Sequence, residues 1–425
     1  MPQHRRVRFF AAAFFCGVLF CYAWVIPRFY DFGVRGYADF SAFYTAGKIV
    51  QRGQGGLLYD RSLQRQVQRE FSQAAVARNR ELPYLRPPFE ALLFLPLTFL
   101  SYVRAYKIWV AISILLVVVT ARFLRARTPE HPPQPWWIYY PAYFSYWPIA
   151  YGWVLGQDCG LMLFLFALMM VQLRRGRDFL AGCFLGLALI KFQLVLPLLF
   201  VLVLKKQFRM LAGFSLVAVS LAGVSLWVVG WNSFKAYPAY LWGMNRAPAA
   251  AAIFPGMMPS LRGLLQGWMD PMHSSAILSL ATGVVSLALL VWAARHWIAT
   301  APRDSKVYLA GIDLVLVATL LAGYHMFSYD LSLLLPTVLR AAHIGLGPGE
   351  LDLNTRRALL GGATALLLTP LYFLLVSYSR VNLMALALFL LAWGLARASR
   401  TWQLDRAEVA RSEGTLLDQG LVAPA

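Results

Sequence analysis

The chain has 425 residues, of which 59% are hydrophobic, 15% aromatic and only 14% charged. In soluble domains about a quarter of all residues are charged, so this composition excludes an ordinary soluble protein and predicts a chain embedded in a bilayer. The formal net charge of +20 could suggest nucleic-acid binding. Most of the basic residues, however, lie in short gaps between apolar runs, where membrane topology explains them more simply.

The apolar runs, taken in chain order, predict the helices. The first run, 9–26, follows a basic N-terminus and is not followed by a small-residue cleavage site, so we expect a retained transmembrane helix rather than a signal peptide. The runs 210–230, 276–294 and 358–376 are also near the length of about 20 residues that spans a bilayer. Together with shorter runs between them, they predict an all-α polytopic membrane protein with about ten to twelve transmembrane helices.

The distribution of Lys and Arg predicts which side each gap faces. The positive-inside rule places the basic gaps and the N-terminus in the cytoplasm. The segments 27–88 and 231–275 then become large outer loops. We therefore predict a single transmembrane domain over residues 1–396 and a cytoplasmic C-terminal tail over 397–425. The basic gaps lie at 174–177, 205–209, 295–306 and 356–357, and further arginines follow residue 396.

This topology places two shorter features on the outer side. The gaps at 174–177 and 205–209 are both cytoplasmic, so residues 179–204 must enter the membrane and return. We expect a V-shaped hairpin with Lys191 at its apex. The short turns 324–328 and 377–380 are also predicted to face outward.

The two large outer loops contain structure of their own. Asp60 precedes Leu63, Val67 and Phe71, which recur every four residues. This pattern predicts an N-capped amphipathic helix at the membrane surface. Asp39 could cap a similar short helix. In the second loop, one continuous helix is excluded by Pro238, Pro248, Pro255 and Pro259.

Ionisable groups in or beside apolar runs are costly and mark candidate functional sites. Most of those in this chain lie near the predicted outer boundary, rather than through the bilayer as an ion pathway would require. No His, Cys or carboxylate cluster has metal-ligand spacing. The polar and ionisable residues that need an explanation are Asp39, Arg86, Glu90, Gln157, Asp158, Lys191, Asp313, His325 and Asp330.

The residues alone leave two interpretations open for each candidate. Asp39 is either a helix cap or a general base that takes a proton from a sugar hydroxyl. Lys191 either extends harmlessly to the interface or binds a phosphate as a point charge. His325 is either a structural histidine or a functional one on the same side as Asp39. Arg86 either anchors a helix start or meets an anionic headgroup.

The order of these motifs resembles glycosyltransferase family 87, the polyprenyl-phosphate-mannose-dependent mannosyltransferases of the GT-C class. The resemblance covers residues 37–336. It departs from the family in two places, at Met257-Met258-Pro259-Ser260-Leu261 and where a usual Lys-Pro pair reads Lys191-Phe192. The motifs that carry it are Tyr37-Ala38-Asp39-Phe40-Ser41, Gly53, Leu58-Tyr59-Asp60, Tyr84-Leu85-Arg86-Pro87-Pro88, Gly156-Gln157, Lys191, His325 and Tyr329-Asp330.

The resemblance implies a GT-C-type helical bundle with interfacial helices in the first outer loop. It also implies an enzyme that transfers a sugar, typically mannose, from a polyprenyl phosphate to an acceptor hydroxyl with inversion. Asp39 matches the position of the catalytic base, and His325 matches a histidine at the donor. We add Lys191 and Arg86 on physical grounds as groups for the leaving phosphate. The other candidates for the donor site are Gln157, Tyr329 and Asp330.

The implied setting is the plasma membrane, with both termini cytoplasmic and the active site on the periplasmic or extracellular side. The expected partners are a polyprenyl-phosphate-linked sugar, a lipid or glycan acceptor and membrane lipids, without nucleic acid, metal or cofactor. Two alternatives are a transporter or flippase of a lipid-linked or anionic substrate and a non-catalytic scaffold. Transporters commonly show internal repeats and polar groups at the bilayer midplane, and neither is evident in the sequence.

Overall fold

The computed structural model describes residues 2–126, 135–246, 254–269, 276–347, 351–368 and 382–418. Throughout this part of the chain the regular structure is helical, which confirms the predicted all-α class. Short 3₁₀ turns lie at Gly55–Leu57, Leu95–Phe99, Ala188–Lys191, Pro255–Met257 and Ser328–Leu334. The α-helices are α1 (Pro2–Val34), α2 (Phe40–Gln51), α3 (Arg61–Arg69), α4 (Gln73–Ala77), α5 (Glu90–Phe94), α6 (Tyr102–Ala126), α7 (Trp136–Ser145), α8 (Trp147–Leu155), α9 (Cys159–Arg174), α10 (Asp178–Leu187), α11 (Phe192–Leu204), α12 (Phe208–Arg246), α13 (Leu261–Met269), α14 (Ala276–His296), α15 (Lys306–Ala322), α16 (Leu335–Leu346), α17 (Leu353–Leu367) and α18 (Met384–Asp418).

Several of these helices are long and apolar enough to cross a membrane, which confirms a polytopic membrane protein. Four described segments meet this criterion by length and composition, and the bent pair Phe9–Val25 and Pro27–Val34 would make a fifth. The count of about ten to twelve spans therefore stays a prediction. The four segments are Tyr102–Arg125, Asp178–Leu204, Phe208–Asn245 and Ile277–His296.

The segment Asp178–Leu204 reverses direction near its middle. The helix α10 ends in the 3₁₀ turn Ala188–Lys191, and Lys191 itself has non-helical dihedrals. Beyond this turn the chain comes back, because the backbone of Met210 touches Gly182, only four residues into α10. A straight helix of this length would hold the two ends about 40 Å apart. The contact confirms the predicted hairpin with Lys191 at its apex.

The first predicted outer loop, residues 27–88, folds into a small aromatic core beside α6. Phe40 at the start of α2 is fully buried among rings that include Phe94, Tyr102 and Tyr106. Phe43 stacks on Phe94 with the ring centroids 4.9 Å apart. Burial of several aromatic side chains supplies most of the apolar area that a small core needs. This packing fixes the position of α2 and therefore of Asp39, which directly precedes it.

The predicted cap of α3 is confirmed. The Asp60 carboxylate accepts a hydrogen bond from the Leu63 N–H at 2.8 Å, which satisfies one of the free donors at the helix start. Val67 is fully buried in the aromatic core, and Gln64 is buried as well. The helix α3 therefore packs on the protein through its apolar stripe, and its position at the membrane surface stays a prediction.

The second predicted outer loop, residues 231–275, is partly helical in its described part. The helix α12 continues through Pro238 to Arg246, with a break at Gly230, where φ is 71°. Separate short helices then follow at Pro255–Met257 and α13, so the expected absence of one continuous helix is confirmed for the described part. Residues 247–253, 270–275 and the predicted turn 377–380 lie outside the described residues. The helix α18 runs from Met384 to Asp418, so the predicted tail beginning at residue 397 continues a helix.

Candidate functional site

Asp39 lies at the start of α2, but its carboxylate does not cap that helix. Its backbone is already helical, with φ −61° and ψ −23°, and its side chain accepts no hydrogen bond from the helix N–H groups. Instead, Oδ2 accepts a hydrogen bond from Gln157 Nε2 at 2.6 Å. The interpretation of Asp39 as a helix cap is therefore wrong, because a tertiary partner takes the carboxylate.

Gln157 is brought to Asp39 by a tight turn between α8 and α9. Gly156 adopts the left-handed region with φ 61°, and a Cβ at this position would lie 2.6 Å from the Cβ of Phe40. Only glycine accepts both constraints at low cost. The Trp109 indole donates to the Gly156 carbonyl at 2.9 Å and fixes the turn from α6.

Arg86 orients the Gln157 amide from the other side. Its Nη2 donates to Gln157 Oε1 at 3.1 Å and lies 3.6 Å from Asp158 Oδ1. Because Oε1 accepts from Arg86, the Nε2 group must face Asp39 as the donor. Burial alone would lower the pKa of Arg86, but Asp158 and Glu90 raise it, so the guanidinium stays charged.

Lys191, at the apex of the hairpin, belongs to the same cluster. Its Nζ is 2.7 Å from Asp158 Oδ1, 2.6 Å from Asp330 Oδ1 and 4.6 Å from the centre of the Tyr329 ring. The side chains of Lys191, Asp158 and Asp330 are each at most 1% exposed. Two buried carboxylates therefore balance this single cation, which leaves no surplus positive charge on Lys191 for a phosphate.

Asp39 is the carboxylate of the cluster that remains partly exposed. Burial raises the pKa of Asp39, while the hydrogen bond from Gln157 and the charges of Arg86 and Lys191 lower it, and burial prevails. Asp158 and Asp330 are fully enclosed and ion-paired. The arrangement thus offers one accessible carboxylate with a raised pKa, supported by a rigid polar network.

His325 belongs to a second polar group, and among the described residues no hydrogen bond or ion pair joins it directly to Asp39. Its Nδ1 lies 3.2 Å from Arg262 Nη1. Burial, and next the nearby Arg262 charge, lower the pKa of His325 to about 3. The imidazole is therefore neutral at pH 7, so His325 is suited to hydrogen bonding rather than to supplying a fixed positive charge.

The two groups are linked through the turn that follows His325. Phe327 stacks on Tyr329 with the centroids 5.7 Å apart, and the Phe327 N–H donates to Asp330 Oδ2 at 3.0 Å. The structure thus brings Asp39, Arg86, Gln157, Lys191, Tyr329 and Asp330 into one network with Asp158, which the sequence analysis had named among the costly polar residues without a role in the site.

Arg262 and Asn245 were missed by the sequence reasoning. Arg262 Nη2 donates to Asn245 Oδ1 at 3.1 Å. The sequence did hold a signal: Arg262 is an ionisable residue within the apolar stretch of α13, and such residues are energetically costly and mark candidate functional sites. Among the described residues, no cluster of His, Cys, Asp and Glu is arranged to hold a metal ion.

Comparison with known families assigns the chain to one of them. The model of glycosyltransferase family 87 matches residues 84–323, more than half of the chain. The chain belongs to glycosyltransferase family 87. No curated protein and no solved structure gives a significant match.

As a member of family 87, the protein is a glycosyltransferase that works in a membrane on a sugar donor and an acceptor. Membership favours sugar transfer over a transporter, a flippase or a non-catalytic scaffold. The matched range contains Arg86, Gln157 and Lys191, and it ends two residues before His325. Asp39 precedes the matched range but is bonded to Gln157 within it.

Proposed function

We propose that this family 87 enzyme transfers a hexose, most often mannose, from a polyprenyl phosphate to an acceptor hydroxyl, with Asp39 as the general base. The observation that carries the proposal is the position of Asp39. It is a partly exposed carboxylate with a raised pKa, held by a neutral amide at 2.6 Å. A general base is most effective when its pKa approaches the working pH.

The proposed reaction is a single displacement. Asp39 takes the proton of the acceptor hydroxyl while that oxygen attacks the anomeric carbon. The bond between the anomeric carbon and the phosphate oxygen breaks, and the phosphate leaves with the electron pair. Attack from the face opposite the leaving group inverts the anomeric centre.

The other site residues are proposed to position Asp39 and the donor. Gln157 and Arg86 hold the orientation of the carboxylate. Lys191 and Asp330 anchor the hairpin apex to the turn that contains Tyr329, which would border the donor. Because the charge of Lys191 is already balanced, we propose a positioning role for it rather than direct binding of phosphate.

A GT-C-type arrangement with the site on the outer face of the plasma membrane and both termini cytoplasmic also belongs to the proposal. Two ion pairs support this sidedness. Arg303 Nη2 lies 2.9 Å from Asp178 Oδ2, and Arg174 Nη2 lies 2.7 Å from Asp304 Oδ1. They hold two basic gaps together at the base of α10, at the opposite end of that arm of the hairpin from Lys191.

The test is transfer of labelled mannose from polyprenyl phosphate to membrane-extract acceptors by the purified full-length protein. Asp39→Asn preserves the shape and is expected to lower the rate by at least about 100-fold, the usual contribution of a general base. Asp31→Asn is the matched control, because Asp31 is exposed and, among the described residues, forms an ion pair only with Arg35 just beyond the end of α1. Normal turnover by Asp39→Asn would remove the base assignment, and absence of transfer from any polyprenyl-phosphate sugar would remove the donor class.

A further inference from the structure

Arg262 is a buried cation without an anionic partner. The residue is 2% exposed, and none of the described Asp or Glu side chains forms an ion pair with it. Lys191, in contrast, lies against two carboxylates. A buried charge without a counter-ion is expensive, so a ligand that supplies the opposite charge would gain free energy by binding here.

The contacts of Arg262 solvate its charge without neutralising it. Its guanidinium donates to Gln266 Oε1 at 3.3 Å, to the Tyr324 carbonyl at 3.2 Å and to Asn245 Oδ1 at 3.1 Å, and it faces His325 Nδ1 at 3.2 Å. The guanidinium also lies 4.0 Å from the centre of the Tyr324 ring. All of these partners are neutral. A guanidinium has five N–H donors, so these four acceptors leave one N–H for a further acceptor.

Arg262 also determines which nitrogen of His325 carries the proton. A guanidinium can only donate, so Nδ1 must accept, and the proton of the neutral ring then lies on Nε2. This Nε2–H has no partner among the described residues. His325 is partly exposed, so its Nε2–H can donate a hydrogen bond to a ligand. The pair therefore combines one surplus positive charge with free N–H donors, which is the chemistry of an anion site.

We propose that Arg262 and His325 bind the phosphate of the lipid donor, with Arg262 supplying the positive charge and His325 a neutral Nε2–H donor. The inference rests on the proposed function and identifies the phosphate subsite of the same enzyme. The cluster around Lys191 is less suited to this role. There the three carboxylates of Asp39, Asp158 and Asp330 face two cations, which leaves a surplus of negative charge that would repel a phosphate.

The proposal also accounts for the division of the site into two groups. In a displacement, the base and the leaving phosphate act on opposite faces of the anomeric carbon and must be separated by the sugar. The turn from His325 to Asp330 joins the two groups, and within this turn Phe327 stacks on Tyr329. Asp39 would serve the acceptor end and Arg262 the leaving end.

The test compares binding of a short-chain polyprenyl phosphate with binding of the matched uncharged polyprenol to the full-length protein in detergent. The wild type is expected to prefer the phosphate. Arg262→Gln should weaken phosphate binding by about 10- to 100-fold, the usual effect of losing hydrogen bonds to a charged group, without changing alcohol binding. Arg262→Lys should retain part of the preference. Arg65→Gln is the matched control, because Arg65 is paired with Glu81 away from the site.

A second pair of variants tests the neutral donor and does not depend on the folding of Arg262→Gln. His325→Gln keeps a side-chain N–H and should retain most of the phosphate affinity, whereas His325→Leu should lose it. Equal phosphate affinity of Arg262→Gln and wild type, or of His325→Leu and His325→Gln, would overturn the subsite. A wild type that does not distinguish phosphate from alcohol would instead overturn the donor class, which separates this failure from the first.

Discussion

Replacing Lys191 by methionine is expected to destabilise the protein strongly, because two buried carboxylates share this one cation. Nζ lies 2.7 Å from Asp158 and 2.6 Å from Asp330, and all three side chains are almost completely enclosed. Removing one partner of a buried ion pair costs about 3–5 kcal/mol, mainly because the remaining charge is left without compensation. Arg86 stays 3.6 Å from Asp158, so most of this cost should fall on Asp330.

A double-mutant cycle separates this charge balance from a simple packing effect. In Lys191→Met/Asp330→Asn, the uncompensated charge is gone and the asparagine oxygen can still accept from the Phe327 N–H. We expect the double variant to recover at least half of the stability lost by Lys191→Met. The interaction energy of the cycle should then exceed about 1 kcal/mol, as for residues in one polar network.

The measurement is equilibrium unfolding in detergent, followed by tryptophan fluorescence. Lys48→Met is the matched control, because the Lys48 ammonium is partly exposed and, within the described part of the chain, donates only to Gln51. Stability of Lys191→Met within about 0.5 kcal/mol of wild type, the range of ordinary surface changes, would refute the reasoning. Strict additivity of the two single variants would refute it as well.

Three further outcomes follow from the packing and the charges. Activity should be lost on acidification at a pH above about 3.9, the ordinary pKa of aspartate, because burial raises the pKa of Asp39 and only the ionised carboxylate accepts a proton. A pH–rate profile whose acid limb lies at or below about pH 3.9 would contradict this. Gly182→Leu should lower the thermal midpoint, since even a Cβ would overlap the Met210 carbonyl, whereas Gly223→Ala, with no atom within 4 Å, should leave it unchanged. For Glu81, burial acts to raise the pKa, but hydrogen bonds from the backbone and two arginines outweigh it, so its stabilisation is present above about pH 4.3 and lost as the pH falls through the lowered value. The free energy of unfolding of Glu81→Gln should therefore be lower than that of wild type at pH 7, and the two values should converge in acid.

Two kinds of feature could be predicted from the sequence. One depends on residues that are close together in the chain, and the other is imposed by the bilayer. The Asp60 cap depends on Leu63, three residues away. The hairpin around Lys191 followed from two basic gaps that must share one side of the membrane. Composition alone excluded a soluble fold. In each case the deciding interaction joins residues near one another in the chain or joins the chain to the surrounding lipid and water.

The features that could not be predicted depend on side chains far apart in the sequence. The carboxylate of Asp39 has the local context of a helix cap, but its partner Gln157 lies 118 residues away. Arg262 and His325 meet across 63 residues. Periodicity and capping rules describe a chain within one or two turns, so they cannot determine which of several polar groups will meet.

The distribution of charge in the site explains why one carboxylate is chemically different from its neighbours. Asp158 and Asp330 are enclosed and held by Lys191, so protonating either would leave that cation without part of its counter-charge. Asp39 forms no ion pair with any described residue and is held by the neutral amide of Gln157. It can therefore gain a proton and lose it again without unbalancing the buried cluster. A general base must change its charge twice in every turnover, and among these carboxylates Asp39 is the one whose surroundings permit that change.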